Sequence, residues 1–258
     1  MNRLKGKVAL ITGASSGIGR AVARQFAEQG VHLVLTARRR DRLETLATEL
    51  EASHGVRVRV HTLDVRDREG VLTLARDLES EDVEIDILVN NAGLARGLAT
   101  IQEGDFDAWD EMIDTNVKGV LNLLRAFVPG MVKRDRGHVV NVGSIAGHQV
   151  YPKGNVYNAS KFAVRAINEA LALDVVGTKI RVTSIDPGLV ETEFSEVRFY
   201  GDSERAQQNY QGYTPLKPED VADTIVYATG LPEHVNVLDL VLLPTDQRNA
   251  YVVHKEGV

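Results

Sequence analysis

Ser144, Tyr157 and Lys161 are the residues of this chain whose types and spacing best fit chemistry. They lie in N-V-G-S-I-A-G-H-Q-V-Y-P-K-G-N-V-Y-N-A-S-K, Asn141 to Lys161. Tyr157 and Lys161 are four residues apart, so on a helix they share one face. A free phenol titrates at about 10 and is a poor proton carrier at neutral pH. A fixed ammonium one turn away favours the phenolate and pulls that value down. The Ser144 hydroxyl can then hold a substrate oxygen beside the phenol. Together they form a device for moving a proton on and off an alcohol. Singly, a Tyr–Lys pair at this spacing is commonly an exposed surface pair, and a serine upstream is ordinary. The joint occurrence with the motifs below favours catalysis.

Such a device needs a scaffold. The chain has 258 residues, 43% of them hydrophobic and 26% charged, as in an ordinary soluble globular protein. A net charge of -6 argues against non-specific nucleic-acid binding. With no cysteine, disulfides, zinc-thiolate sites and thiol nucleophiles are excluded. Seven scattered histidines show no ligand-type pairing, so no catalytic metal is expected. The start M-N-R-L-K-G-K carries no signal-peptide pattern, and no apolar run reaches the ~18 residues of a membrane helix. The expected location is the cytoplasm, away from membranes.

Short apolar runs alternate with longer helical patterns. The expected strands are Lys7–Thr12, Val31–Thr36, Val56–Leu63, Ile85–Val89, His138–Val142, Ile180–Ile185 and Leu238–Leu243. The expected helices are Ile18–Gln29, Asp41–Ala52, Arg68–Leu78, Phe106–Val132, Val156–Val176 and Glu219–Tyr227. This alternation predicts an α/β fold, a single doubly wound domain over 1–258. Its seven-stranded sheet should be mostly parallel, with helices on both faces. One stretch is weakly patterned, Glu191–Tyr213, with five aromatics among polar residues. It is too long for an ordinary loop and reads as a helical lid over a site, or else as a surface excursion.

T-G-A-S-S-G-I-G, Thr12 to Gly19, follows the first strand. A strand, a glycine-rich turn and a helix N-terminus make a phosphate cradle. The spacing of Gly13, Gly17 and Gly19 differs from G-x-G-x-x-G, and three glycines alone fit a tight turn equally well. Position immediately after the first strand favours a dinucleotide. The second strand ends in T-A-R-R-R with no acidic residue for a ribose 2′-hydroxyl. Arg38 and Arg39, helped by Ser15, suit the 2′-phosphate of NADP; the bland alternative is a solvated basic helix start. Asp64 could accept from an adenine amino group or serve as a helix-proximal cap. N-N-A-G, Asn90 to Gly93, ends the fourth strand, where a doubly wound sheet opens its ligand crevice, though alone it would pass for a plain turn.

Together these motifs resemble the short-chain dehydrogenase/reductase superfamily over essentially the whole chain. The resemblance rests on T-G-A-S-S-G-I-G, N-N-A-G, Asn116 in D-T-N, Ser144, Y-N-A-S-K and D-P-G-L-V-E-T at 186–192. It implies a Rossmann-like fold and a catalytic tetrad of Asn116, Ser144, Tyr157 and Lys161, with Asn116 supporting a water that relays protons from Lys161. Read from the residues alone, a bond from Asn116 to a nearby backbone group, or a kink in its helix, fits equally well. The cofactor contacts expected for NADP(H) are Gly13, Ser15, Ser16, Gly17, Ile18, Gly19, Arg38, Arg39, Asp64, Val65, Asn91, Ala92, Gly93, Tyr157, Lys161, Pro187, Gly188, Val190 and Thr192.

A narrower match, strongest in P-G-L-V-E-T-E-F-S-E-V-R-F, resembles the NADP-dependent 3-hydroxy acid dehydrogenases. That group includes serine and L-allo-threonine dehydrogenases and malonic semialdehyde reductases. The substrate expected is a short 3-hydroxy acid, held by Ser144, Tyr157 and a cation. Arg198 is the candidate for its carboxylate, with Lys153 and Arg96 weaker and a surface ion pair of Arg198 with Glu193 or Glu196 as the alternative. Arg96 and His148–Gln149 depart from the group's pattern. Two other functions stay open: a reductase for larger apolar ketones or ketoacyl substrates, which the aromatics of 191–213 would suit, and a non-catalytic dinucleotide sensor. The resemblance implies a homotetramer, or failing that a homodimer.

Overall fold

The computed structural model describes residues 2–208 and 210–257; Asn209, inside the expected lid, lies outside the described residues, as do Met1 and Val258. Seven strands form one sheet: β1 (Val8–Thr12), β2 (His32–Ala37), β3 (Val58–Thr62), β4 (Ile87–Asn90), β5 (Gly137–Val142), β6 (Ile180–Pro187) and β7 (Asp239–Leu242). Their spatial order is β3-β2-β1-β4-β5-β6-β7, and every pairing is parallel. The expected mostly parallel sheet is thus wholly parallel among the described residues. The order reverses direction beside β1, which opens a crevice at the carboxyl ends of β1 and β4.

Strand alternation builds two cores. Ala9 and Ile11 of β1 face one side while Leu10 faces the other, and Leu33/Leu35 against Val34 repeats the pattern in β2. On the first face pack α1 (Gly17–Glu28), α2 (Arg40–His54) and a C-terminal helix, Pro218–Gly230. On the second pack α3 (Arg68–Ser80) and the helices on either side of β5. Phe26 of α1 is fully buried, which contributes about 1.5–3 kcal/mol by removing its side chain from water.

The long helix expected over Phe106–Val132 is divided. It runs as α4 (Phe106–Ile113), a π-helical turn (Asp114–Lys118) and α5 (Gly119–Arg134). The irregular turn carries Asn116, whose side chain is committed to a neighbouring backbone rather than left on a helix surface. Next comes α6 (Asn155–Asp174), which carries Tyr157 and Lys161 on its buried face. The 191–213 region forms α7 (Phe194–Arg198) and α8 (Ser203–Gln208), followed by α9 (Pro218–Gly230). Tyr210 ties this excursion down: its hydroxyl donates to Val190 O at 2.9 Å and lies 2.7 Å from Ser195 Oγ.

Candidate active site

A cleft of about 540 Å³ opens where the strand ends meet this helical excursion. The turn after β1 forms one end. Gly13 has a left-handed backbone (φ 67°), and a Cβ there would come within 2.9 Å of Asn91 Nδ2. Thr12 locks that turn to the end of β4: its Oγ1 accepts from Asn91 N and Ala92 N, both at 3.0 Å. Ser16, which precedes α1, makes no side-chain cap, so the helix N-terminus offers its N–H groups to the cleft. Arg39 Nη2 donates to Ser16 Oγ at 2.8 Å and Ser15 Oγ at 3.1 Å. A glycine turn, an open helix end and a guanidinium joined to two hydroxyls fit a phosphorylated dinucleotide.

Every expected site residue except Gly19 and Asn116 lines this cleft. A Cβ on Gly19 would stand 2.6 Å from both Asn91 Nδ2 and Gly13 O, so this glycine permits close packing behind the cradle. Asn116 is also behind the wall. Its Nδ2 donates to Leu94 O (2.8 Å) and Ser160 Oγ (3.0 Å), and its Oδ1 accepts from Leu94 N (2.9 Å). The backbone-bonding alternative therefore describes its direct contacts. Gly93 lies between it and the lysine: a Cβ there would sit 3.2 Å from Asn116 Oδ1 and 3.7 Å from Lys161 Nζ. Asp64 does not cap α3; Asp67 does, accepting from Gly70 N at 3.1 Å. The Asp64 carboxyl is held below its usual range by hydrogen bonds from Arg66.

Ser144 stands at the end of β5 in extended backbone and caps a short 3-10 turn (Ile145–Gly147), its Oγ accepting from Ala146 N at 3.1 Å. Its backbone N–H donates to Asp186 Oδ1 at 2.8 Å. Tyr157 is buried against Phe194, ring centroids 5.7 Å apart, and the Ser144 side chain acts on its phenol. Lys161 is buried too, and its Nζ donates to Val142 O at 2.9 Å. Burial pushes its pKa down to about 8, against a pull upwards from Asp186.

The electrostatics around the phenol differ from the sequence expectation. Burial raises the Tyr157 pKa, and the cation that opposes this most is Arg198, followed by the hydrogen bond from Ser144. Lys161 Nζ lies 5.9 Å from the ring centre and is committed to Val142 O, whereas Arg198 Cζ lies 5.0 Å from it. Arg198 also donates to Tyr151 Oη at 2.6 Å, and its Nε is buried without a hydrogen-bond partner. It pairs with neither Glu193 nor Glu196 among the described residues. Glu193 instead bridges Arg39 (2.9 Å) and Arg42 (2.7 Å).

The weaker candidates are elsewhere. Lys153 is exposed and outside this cleft. Arg96 is paired to Glu111 at 2.6 Å and donates to Val197 O at 2.5 Å, so it clamps α7 in place. Of the five aromatics in 191–213, only Phe194 and Tyr210 line the cleft, which weakens the reading for large apolar ketones. Sequence reasoning missed Tyr151, Glu193 and Gln247 on the wall. Tyr151 stands in the same run as Tyr157, and Glu193 directly follows the motif at 186–192, so both were findable. Gln247, whose Oε1 accepts from Leu189 N at 2.9 Å, has no signal in the sequence.

Residues 7–201 match the family model described as short chain dehydrogenase. The chain is 43% identical over 251 residues to the NADP-dependent 3-hydroxy acid dehydrogenase YdfG of Escherichia coli (strain K12), covering 96% of this chain and 100% of that one. It is 45% identical over 253 residues to sulfoacetaldehyde reductase 2 of Chromohalobacter salexigens, covering 96% and 99%. Its fold matches the closed form of serine dehydrogenase complexed with NADP+ at a TM-score of 0.89 and 43% identity, covering 96% and 100%.

Proposed function

The chain belongs to the short-chain dehydrogenase family, and from that premise we propose that it is an NADP-dependent oxidoreductase interconverting a short 3-hydroxy acid and its carbonyl partner. The observation that carries the substrate class is Arg198, a guanidinium on the cleft wall beside Tyr157 with no carboxylate of its own. A hydroxy acid supplies that carboxylate while placing its hydroxyl against Ser144 and Tyr157.

Gly13, Ser15, Ser16, Gly17 and the N-terminus of α1 would hold the cofactor phosphates, with Arg38 and Arg39 on the 2′-phosphate. Ile18, Asp64, Val65, Asn91, Ala92 and Gly93 would line its adenosine and ribose side, and Pro187, Gly188, Val190 and Thr192 its nicotinamide side. Bound there, the nicotinamide supplies or accepts the hydride exchanged with the substrate carbon. Ser144 donates a hydrogen bond to the substrate oxygen and stabilises charge developing on it. Tyr157 gives that oxygen its proton in reduction and takes it back in oxidation. Burial keeps the phenol protonated in the arrangement described, the form needed for reduction. Lys161, with Asn116 behind Gly93, replaces the proton from solvent.

The family resemblance supports a homotetramer, otherwise a homodimer, and exposed apolar side chains on α5 and α6 (Leu121, Val132, Phe162, Leu173) are consistent with such contacts. No helix among the described residues is long and apolar enough to cross a membrane. The testing experiment is nicotinamide reduction with serine, allo-threonine, 3-hydroxypropionate, 3-hydroxyisobutyrate and neutral alcohols of similar size, each with NADP+ and NAD+. Turnover should favour the acids and NADP+. Equal rates on neutral alcohols would refute the substrate class.

A further inference from the structure

His148 is a residue that the mechanism above does not use. The structure places its Nε2 3.1 Å from Asp186 Oδ2 and 3.7 Å from Asp239 Oδ2. Asp186 is the unusual member. It is 1% exposed, its Oδ1 accepts from Ser144 N, and its Oδ2, like His148 Nε2, is buried without an aligned hydrogen-bond partner among the described residues. A Cβ at residue 143 would collide with Asp186 Oδ1, so Gly143 is what lets the carboxylate reach the Ser144 backbone. An ionised carboxylate at this depth needs a compensating charge or proton.

We propose that His148, Asp186 and Asp239 form a proton-sharing positioning triad behind Ser144, in which one proton held within the cluster keeps Asp186 locked onto the Ser144 backbone. The proposal rests on the reading of Ser144 as the hydroxyl that binds the substrate oxygen. The charged groups around the triad come from three elements. Asp186 ends β6 and Asp239 begins β7. From α6, Arg165 Nε lies 4.0 Å from Asp239 Oδ2, and Lys161 and Tyr157 both feel the Asp186 charge. Burial and Asp186 push the Asp239 carboxyl up to about 6, so below that pH Asp239 itself carries a proton to share. Above it, without the His148 ring 3.1 Å from Asp186, the two carboxylates would face each other as like charges, and Asp186 would turn from Ser144.

The test is a pH profile of kcat and KM from pH 5.5 to 8.5 for wild type, H148A, H148A/D239N and S144A, with the metal content of each removed by chelator in a parallel series. H148A should lose about tenfold in kcat at pH 8, corresponding to one unit of lost differential interaction, with a small change in KM, and recover as pH falls below 6. Adding D239N, which supplies a neutral amide donor where the proton would sit, should restore H148A at pH 8. A loss in H148A that is equal at every pH, or that D239N does not rescue, overturns the triad. Activity lost to chelator and restored by zinc or manganese overturns it in favour of a metal site. An active S144A overturns the reading of Ser144 and the triad with it, whereas an inactive S144A with no rescue overturns the triad alone.

Discussion

The cofactor-facing end of the cleft is made of backbone, and the substrate-facing wall is made of long side chains. At the first, the short side chains of Thr12 and Asn91 bond main-chain groups near 3 Å, and Gly13 has no room for a Cβ. At the second, Arg198 and Phe194 reach inward from an excursion fastened by Arg96, Tyr210 and Glu193, and Tyr151 meets Arg198 from the segment before α6. A backbone cradle recognises what every dinucleotide shares, its phosphates. A wall of side chains can be exchanged residue by residue, so substrate choice resides there.

Four measurements would break or sharpen that contrast. The largest effect belongs to the residue at the junction. Tyr157→Phe should cut kcat by about 10³-fold while leaving NADPH affinity within about threefold, since it removes proton transfer and not the cradle. A large loss of NADPH binding, read by fluorescence titration, would show that the two walls are not separable there.

Lys161 tests what the junction costs the fold. Its ordinary value is 10.5 and the folded value about 8, so between these pH values the unfolded chain binds more protons. The penalty of the buried ammonium is fully present below pH 8 and disappears by pH 10.5, about 3 kcal/mol in all. Urea unfolding at pH 7.5 and 10.5 should show wild type gaining on Lys161→Met across that window. Parallel curves for the two proteins would mean that the lysine is not destabilised by burial.

Arg198→Ala comes next. It should lower kcat/KM for a hydroxy acid by about 10²-fold, the worth of a charge-assisted bidentate contact, and affect a neutral alcohol much less. Equal losses on both would remove Arg198 from carboxylate binding and leave it only as the cation opposite Tyr157. Arg39→Ala should weaken NADPH binding by about tenfold and NADH binding hardly at all. The effect is smaller because Arg38 stays in place and Glu193 already competes for the same guanidinium. If NADH weakened equally, Arg39 would be supporting the turn through Ser15 and Ser16 instead.

The strands and the cradle were legible in the sequence because their signals are local. Each strand is a short apolar run, and the turn glycines form one motif directly after the first, although the atoms that exclude a Cβ there come partly from Asn91 and Thr192. Boundaries moved by one or two residues, as at β3, where Val56–Leu63 narrows to Val58–Thr62. The division of Phe106–Val132 was not legible. The π-helical turn exists because Asn116 bonds to Leu94, which is distant in sequence. The same limit applies to Glu193: its motif was visible, but its partners Arg39 and Arg42 belong to another element.

The sequence by itself determined the parallel α/β scaffold, the family and the residue proposed as proton carrier, because periodicity and motif spacing are properties of neighbouring residues. Only the tertiary structure decided which charge acts on that carrier. Lys161 shares its helix, yet its ammonium is drawn to Val142 O, while Arg198 arrives from another element and stands closer to the ring. Coulomb's law depends on distance and burial in space, and neither is written in the spacing along a chain.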